Sequence, residues 1–319
     1  MDSIGNFVSD FAHRVHDLVT GEDHDQHVQN PDVHGRKDDE DDGPNTLLEQ
    51  QEEVEDAAIE AAKQEYANIK PSTQFKAGPV LRYQDINVEQ RRWVGSALIV
   101  TDRRDPPRLV IRDPTKRDVG YSRGRLLDSW EGNHFYRYDI QLTLLNHREK
   151  NITYWFETEH GHRTNTPQTW NFFVPALDEA HNWAFYSCNG FTSDVEDPET
   201  NFHGANPLWD DLLTAHDAKP FHTMIGGGDQ IYNDDVLATP EMVEWLAKDE
   251  EERATTEFDG QKRYAVEKYY FDHYVQHFTT GTYSQALSLI PSVNSWDDHD
   301  ILDGYGSYPP KYQLCDVMQ

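Results

Sequence analysis

Three short runs in this sequence hold side chains that can ligate a metal. Gly228-Asp229-Gln230-Ile231-Tyr232 and Trp296-Asp297-Asp298-His299-Asp300 each follow an apolar, strand-like stretch, and Ser187-Cys188-Asn189 does the same with a thiol. Open α/β sheets hold ligands in the crevice beyond the carboxyl ends of their strands, so three such ends offering Cys, Asp, Tyr, Asp and His suggest a metal site. Thiolate and phenolate suit Fe(III), whereas carboxylate suits Ca, Mg or Mn. A carboxylate at a strand end can bridge two metals, and a pair roughly 3.5–4 Å apart suits in-line displacement at phosphorus. Each run also has a plainer explanation. Cys188 at a strand end could be a small buried hydrophobe, Gly226-Gly227-Gly228 a simple turn, and the acids around His299 a solvated loop.

The elements that must position these runs follow from periodicity. Residues 182–319 alternate strands with helices, which implies an α/β layered domain. Trp183–Tyr186, Phe221–Ile225 and Ser292–Trp296 are expected strands. Asn206-Pro207 is expected to cap a helix carrying Leu208, Trp209, Leu212 and Leu213, with proline in its first turn. Further helices are expected near Glu241–Arg253, Gln261–Phe278 and Ser284–Leu289, with Tyr270, Tyr274 and Phe278 as core contacts of the second. From about Val80 to Leu177 the signals are strands, including Leu98–Val100, Leu109–Ile111, Phe135–Leu145, Ile152–Phe156 and Trp170–Val174, divided by Pro, Gly, Asp and Asn clusters. Alternation in Tyr136–Leu142 suggests a small antiparallel β-sandwich without a catalytic cluster of its own. The expected organisation is therefore 1–77 as N-terminal helices and acidic linker, 78–178 as the β-rich unit, and 179–319 as the α/β unit.

The 319 residues carry 58 acids against 28 bases, a net charge of -30, with 36% hydrophobic residues. That balance excludes nucleic acid as an expected partner, because phosphate backbones select Lys and Arg. The two cysteines form no disulfide framework, and a reducing cytoplasm is the simplest home. No secretory signal or apolar run long enough to span a bilayer is evident. Ile4, Phe7, Val8, Phe11, Val15, Leu18 and Val19 form a helical stripe whose flanks are mostly acidic, so protein contact is favoured over peripheral membrane contact. Residues 21–45, with Asp38–Asp42, look like a solvated linker in which His24, His27 and His34 are polar rather than ligating. Thr46-Leu47-Leu48-Glu49 opens an expected surface helix to about Ile69.

Taken in order, the three ligand runs resemble those of PhoD-like alkaline phosphatases, which are calcineurin-like metallophosphoesterases. The stretches Asn182–Gly190, Asn206–Tyr232 and Pro291–Pro309 resemble fungal, cytosolic-type members, and the similarity covers roughly residues 78–319. The resemblance implies a layered metallophosphoesterase-type β-sandwich flanked by helices and a binuclear site of Fe(III) with Ca, Mn or Mg. Cys188, Asp229 and Tyr232 would hold the iron, with Asp229 bridging to a second metal held by Asp298. His299 would assist the leaving-group oxygen, Asp300 would orient its imidazole, and Asn189 would face a phosphoester substrate. The implied reaction is phosphomonoester or phosphodiester hydrolysis by hydroxide on the metal pair.

The family pattern also includes a later Gly-Asp-x-His, which residues 301–319 do not contain. The expectation for these residues alone is a C-terminally truncated site with weak metal binding and little turnover. Two other readings stand beside hydrolysis: an inactive homologue acting as an interaction scaffold, and a calcium-binding structural protein. The first predicts partner binding that survives loss of Asp229, the second calcium binding that survives Cys188→Ala and Tyr232→Phe.

Overall fold

The computed structural model describes residues 75–113, 120–157, 168–191, 195, 198–202 and 206–318. The expected N-terminal stripe, acidic linker and helix to Ile69 lie outside the described residues. The described chain is a mixed α/β structure with two sheets and helices. Strands β1 (Ala77–Asn87), β2 (Arg92–Thr101), β3 (Arg108–Arg112), β4 (Gly120–Ser122), β5 (Arg125–Trp130), β6 (Asn133–Thr143), β7 (Lys150–Glu157) and β8 (Trp170–Val174) come first. Then β9 (Trp183–Tyr186), β10 (Thr223–Gly226) and β11 (Ser292–Asn294) alternate with helices. The main helices are α1 (Pro207–Ala218), α2 (Pro240–Leu246), α3 (Glu250–Thr255), α4 (Gly260–Thr279) and α5 (Gly281–Leu289).

The seven-stranded sheet runs β5-β6-β2-β1-β11-β10-β9, and the four-stranded sheet runs β4-β3-β7-β8. Alternation decides which side chains enter the core. In β6, Tyr138, Ile140 and Leu142 are buried while Asp139, Gln141 and Thr143 are exposed. Leu81, Trp93, Ile99 and Tyr138 from the large sheet share one core with Leu109, Ile152, Tyr154 and Phe172 from the small one. On the opposite face, Val100 and Phe135 pack with Phe271 and Tyr274 of α4, and Val80 and Met224 pack with Leu213 of α1 and Leu287 of α5. Each such fully buried aliphatic side chain contributes about 1.5–3 kcal/mol.

The two sheets of the β-rich stretch share one core, but the larger sheet is not confined to that stretch. Its first strand, β1, pairs antiparallel with β2 on one side and parallel with β11 on the other, with Arg82 opposite Ser292. Ser292 Oγ also donates to the Leu81 carbonyl at 3.1 Å. The large sheet therefore continues across the boundary expected at residues 178–179. A buried strand shows its period in sequence but not its partner, so the join was invisible there.

Helix ends follow local chemistry. The Asp259 side chain accepts from the amides of Gln261 and Lys262 and starts α4. Helix α1 starts at Pro207 as expected, but the Asn206 side chain makes no capping bond. The helix expected over Glu241–Arg253 is two, because the chain breaks after Leu246 and restarts at Asp249, whose side chain accepts from the Glu252 amide. Among the described residues, no helix is long and apolar enough to cross a membrane.

Candidate metal centre

Parallel pairing brings the three ligand runs to one edge. Gly226 at the end of β10 is in register with Tyr186 of β9 and Asn294 of β11, so the chain leaves all three strands side by side. Cys188, Asp229 and Asp298 then follow within a few residues of those ends. Cys188 and Asp229 both take left-handed backbone angles, with φ of 55° and 52°. Such angles are costly for residues with a side chain and persist where the surroundings enforce them. Here two backbone bonds hold the turns together: the Cys188 amide donates to the Gly228 carbonyl at 3.1 Å, and the Asn189 amide to the Asp229 carbonyl at 2.8 Å. Gly228 has φ of 114°, and a Cβ there would lie 2.7 Å from the Asp297 Cβ, so the two acidic turns can approach only over a glycine.

The side chains converge. Asp229, Asp298 and His299 each offer a ligand atom, all within 4.8 Å of one another. Cys188 Sγ lies 3.5 Å from Asp229 Oδ2, and the Tyr232 ring centroid lies 4.8 Å from that of His299. Tyr232 also packs on Gly190, where an added Cβ would sit 2.9 Å from the phenol ring. The structure thus gathers Cys188, Asp229, Tyr232, Asp298 and His299 from runs as far apart in sequence as residues 188 and 299.

The donor set suits a cation. Asp229 is 7% exposed, and its Oδ1 is buried without a hydrogen-bond partner among the described residues. A buried carboxylate oxygen left without a donor is expensive unless a cation answers it. Burial raises the Asp229 pKa; Cys188 and His299 oppose the rise while Asp297 and Asp298 add to it. The Tyr232 phenol is pushed up by burial first, then by its hydrogen bond with Cys188 and by neighbouring negative charge.

Asp300 and His299 divide their work differently from the expectation. Asp300 is not the imidazole's partner: its carboxylate accepts four backbone amides. Oδ2 takes Asp229 at 2.8 Å and Asp297 at 2.9 Å, while Oδ1 takes Gln230 at 2.9 Å and Ile231 at 3.3 Å. It therefore ties the Asp229 turn to the Asp298 turn. Burial pushes its pKa up to about 6, against the pull of those amide bonds. Its own carbonyl accepts from Tyr274 Oη and from Asn233 Nδ2, each at 2.6 Å, so the core residues of α4 hold the same turn. The partner of His299 is Asp234, with Nδ1 to Oδ2 at 2.7 Å. Burial alone would lower the His299 pKa, but the Asp234 bond and the charges of Asp234, Asp298 and Asp229 raise it overall. Asp234 was missed because it lies after the ligand run in a 3-10 turn, Asp234–Ala238, that carries no periodic signal.

Asn189 sits beside the centre but is heavily tethered. Its Oδ1 accepts from Trp209 Nε1 at 2.7 Å and its Nδ2 donates to the Gln230 carbonyl at 3.1 Å. Its fixed side chain forms part of the wall of an adjoining cleft.

Similarity to known proteins places the chain in a family. A family model described as PhoD related phosphatase matches residues 145–319. The chain is also 29% identical over 268 residues to the uncharacterized protein YGR266W of Saccharomyces cerevisiae, a similarity covering 75% of this chain and 37% of that protein. The chain thus matches little more than a third of that relative's length. With more than half of its residues matched by the family model, including every candidate ligand, the chain belongs to the PhoD-related phosphatase family.

Proposed function

We propose that the site hydrolyses phosphoesters, as phosphomonoesterase or phosphodiesterase, with a binuclear metal centre. Cys188, Asp229 and Tyr232 would hold Fe(III), and Asp229 with Asp298 would hold Ca, Mn or Mg. When bound, such a pair supplies a nucleophile at neutral pH and neutralises charge on the phosphoryl oxygens. The chain's own residues set the rest. His299 gives a proton to the leaving-group oxygen through Nε2, and Asp234 fixes its ring through Nδ1. Asp300 keeps the two acidic turns in register.

The observation that carries this proposal is the buried Asp229 Oδ1, without a hydrogen-bond partner among the described residues, beside the thiol, phenol, carboxylate and imidazole of Cys188, Tyr232, Asp298 and His299. Both cysteines are free, which suits a reducing compartment, and we place the protein in the cytoplasm. The test is phosphoester hydrolysis with Fe(III) and a divalent ion supplied. Activity should vanish with a chelator and with Asp229→Asn. Turnover that survives both overturns the proposal.

A further inference from the structure

A cleft of about 770 Å³ adjoins the candidate metal centre, with Cys188 and Asn189 in its wall. That volume lies in the range of small-molecule sites. One wall is a face of α1 on which Leu208, Asp211, Leu212 and Ala215 recur at helical spacing. Phe185 of β9 and Phe221 extend the apolar lining. Two of these side chains are unusually open for their type, Leu208 at 80% and Phe185 at 61% exposed. No described lining residue is Lys or Arg; the cleft's described polar side chains are Asp211 together with residues such as Asn206, Gln276, Thr280, His273 and His277.

This lining selects among phosphoesters. Nucleotides and polyphosphorylated sugars bring several anionic groups, which bind where Arg and Lys await them. Beyond the metal centre, the described walls of the cleft offer them no cationic Lys or Arg side chain, and the protein as a whole is acidic. An alkyl or aryl group, in contrast, would cover Leu208, Leu212 and Phe185 while its phosphate stayed at Cys188. We propose that the cleft receives the apolar group of the substrate, so that the preferred phosphoesters are those of long-chain alkyl or aryl alcohols. This assignment rests on the hydrolytic reading of the same centre and adds the substrate class.

Binding of the leaving alcohol separates the two ideas, because it needs no metal. Calorimetry on the metal-free chain should show 1-octanol binding about tenfold or more tighter than 1-butanol, since each buried methylene strengthens binding several-fold. The heat capacity change should be negative, as apolar burial requires. Leu208→Asp, at an exposed position that tolerates it, should weaken octanol about tenfold. Val88→Asp, on an exposed turn outside the cleft, should not. Equal binding of the two alcohols, or equal losses in both variants, overturns the proposal and makes the apolar wall a packing surface for protein. With metal supplied, octyl phosphate should be hydrolysed faster than methyl phosphate or adenosine monophosphate, and the reverse order also overturns it. Chain-length-dependent alcohol binding without any hydrolysis upholds the cleft and removes only the hydrolytic reading.

Discussion

Replacing Asp300 with asparagine tests whether this carboxylate organises the site or serves the imidazole. Its two oxygens each accept two amides, at 2.8 and 2.9 Å on Oδ2 and at 2.9 and 3.3 Å on Oδ1. In Asp300→Asn one oxygen becomes an NH₂ group. Whichever way the amide turns, two backbone N–H groups then face a donor, and the other two lose the charge that strengthened them. A buried donor left unsatisfied costs about 1–3 kcal/mol, so two of them cost about 2–6 kcal/mol. The left-handed backbone of Asp229, at φ 52°, is released at the same time, which returns part of its strain. The expected net destabilisation is about 3 kcal/mol, read as a fall in the urea midpoint of the metal-free protein at pH 7.5. That pH lies above the Asp300 pKa of about 6, so the comparison refers to the ionised carboxylate. Asp234→Asn is the contrast. Its side chain is 35% exposed, so its bond to His299 contributes under about 1 kcal/mol to stability. It should instead lower the His299 pKa, followed by NMR. A loss below about 1 kcal/mol in Asp300→Asn, or an equal loss in Asp234→Asn, refutes this division of labour.

Other outcomes follow from the same geometry. Gly228→Ala should destabilise by about 1–3 kcal/mol and weaken metal binding, because its φ is 114° and its Cβ would strike Asp297; unfolding and metal titrations check both effects. Iron bound by Cys188 and Tyr232 should give the protein a visible charge-transfer band. Tyr232→Phe should shift or remove it, and an unchanged band would exclude Tyr232 as ligand. Acid should unfold the protein early. Burial lowers the pKa of both His216 and His277 from 6.5 to about 4, so each is neutral when folded. Their contribution is full above pH 6.5 and is lost as pH falls toward 4, by about 3 kcal/mol for each. His216→Gln should flatten that dependence in urea titrations between pH 7 and 4.5.

Sequence patterns revealed the strand ends and most of the side chains that converge there, but not the residues that organise them. Trp183–Tyr186 and Trp170–Val174 were legible to the residue because short apolar runs between breakers have little freedom. Tyr270 and Tyr274 were legible as core contacts through their spacing, yet nothing in that spacing shows that their hydroxyls bond the carbonyls of Ile301 and Asp300 at 2.7 and 2.6 Å. Asp300 and Asp234 differ in role through burial and direction, which sequence does not encode locally. The union of the β-rich stretch with the parallel strands depends on β1 pairing with β11 across more than 200 residues. Such non-local pairing leaves no periodic trace. The ligand runs stood out because unlike donors beside strand ends are rare in a solvated loop.

If Cys188, Asp229, Tyr232 and Asp298 hold a metal pair as proposed, Asp229 would serve both ions. Metal content after equilibrium dialysis against Fe(III) and Mn, compared between wild type, Asp229→Asn and Asp298→Asn, tests it most directly. Asp229→Asn should lose both metals, while Asp298→Asn should keep iron and lose manganese. Wild-type content of both metals in Asp229→Asn would contradict it.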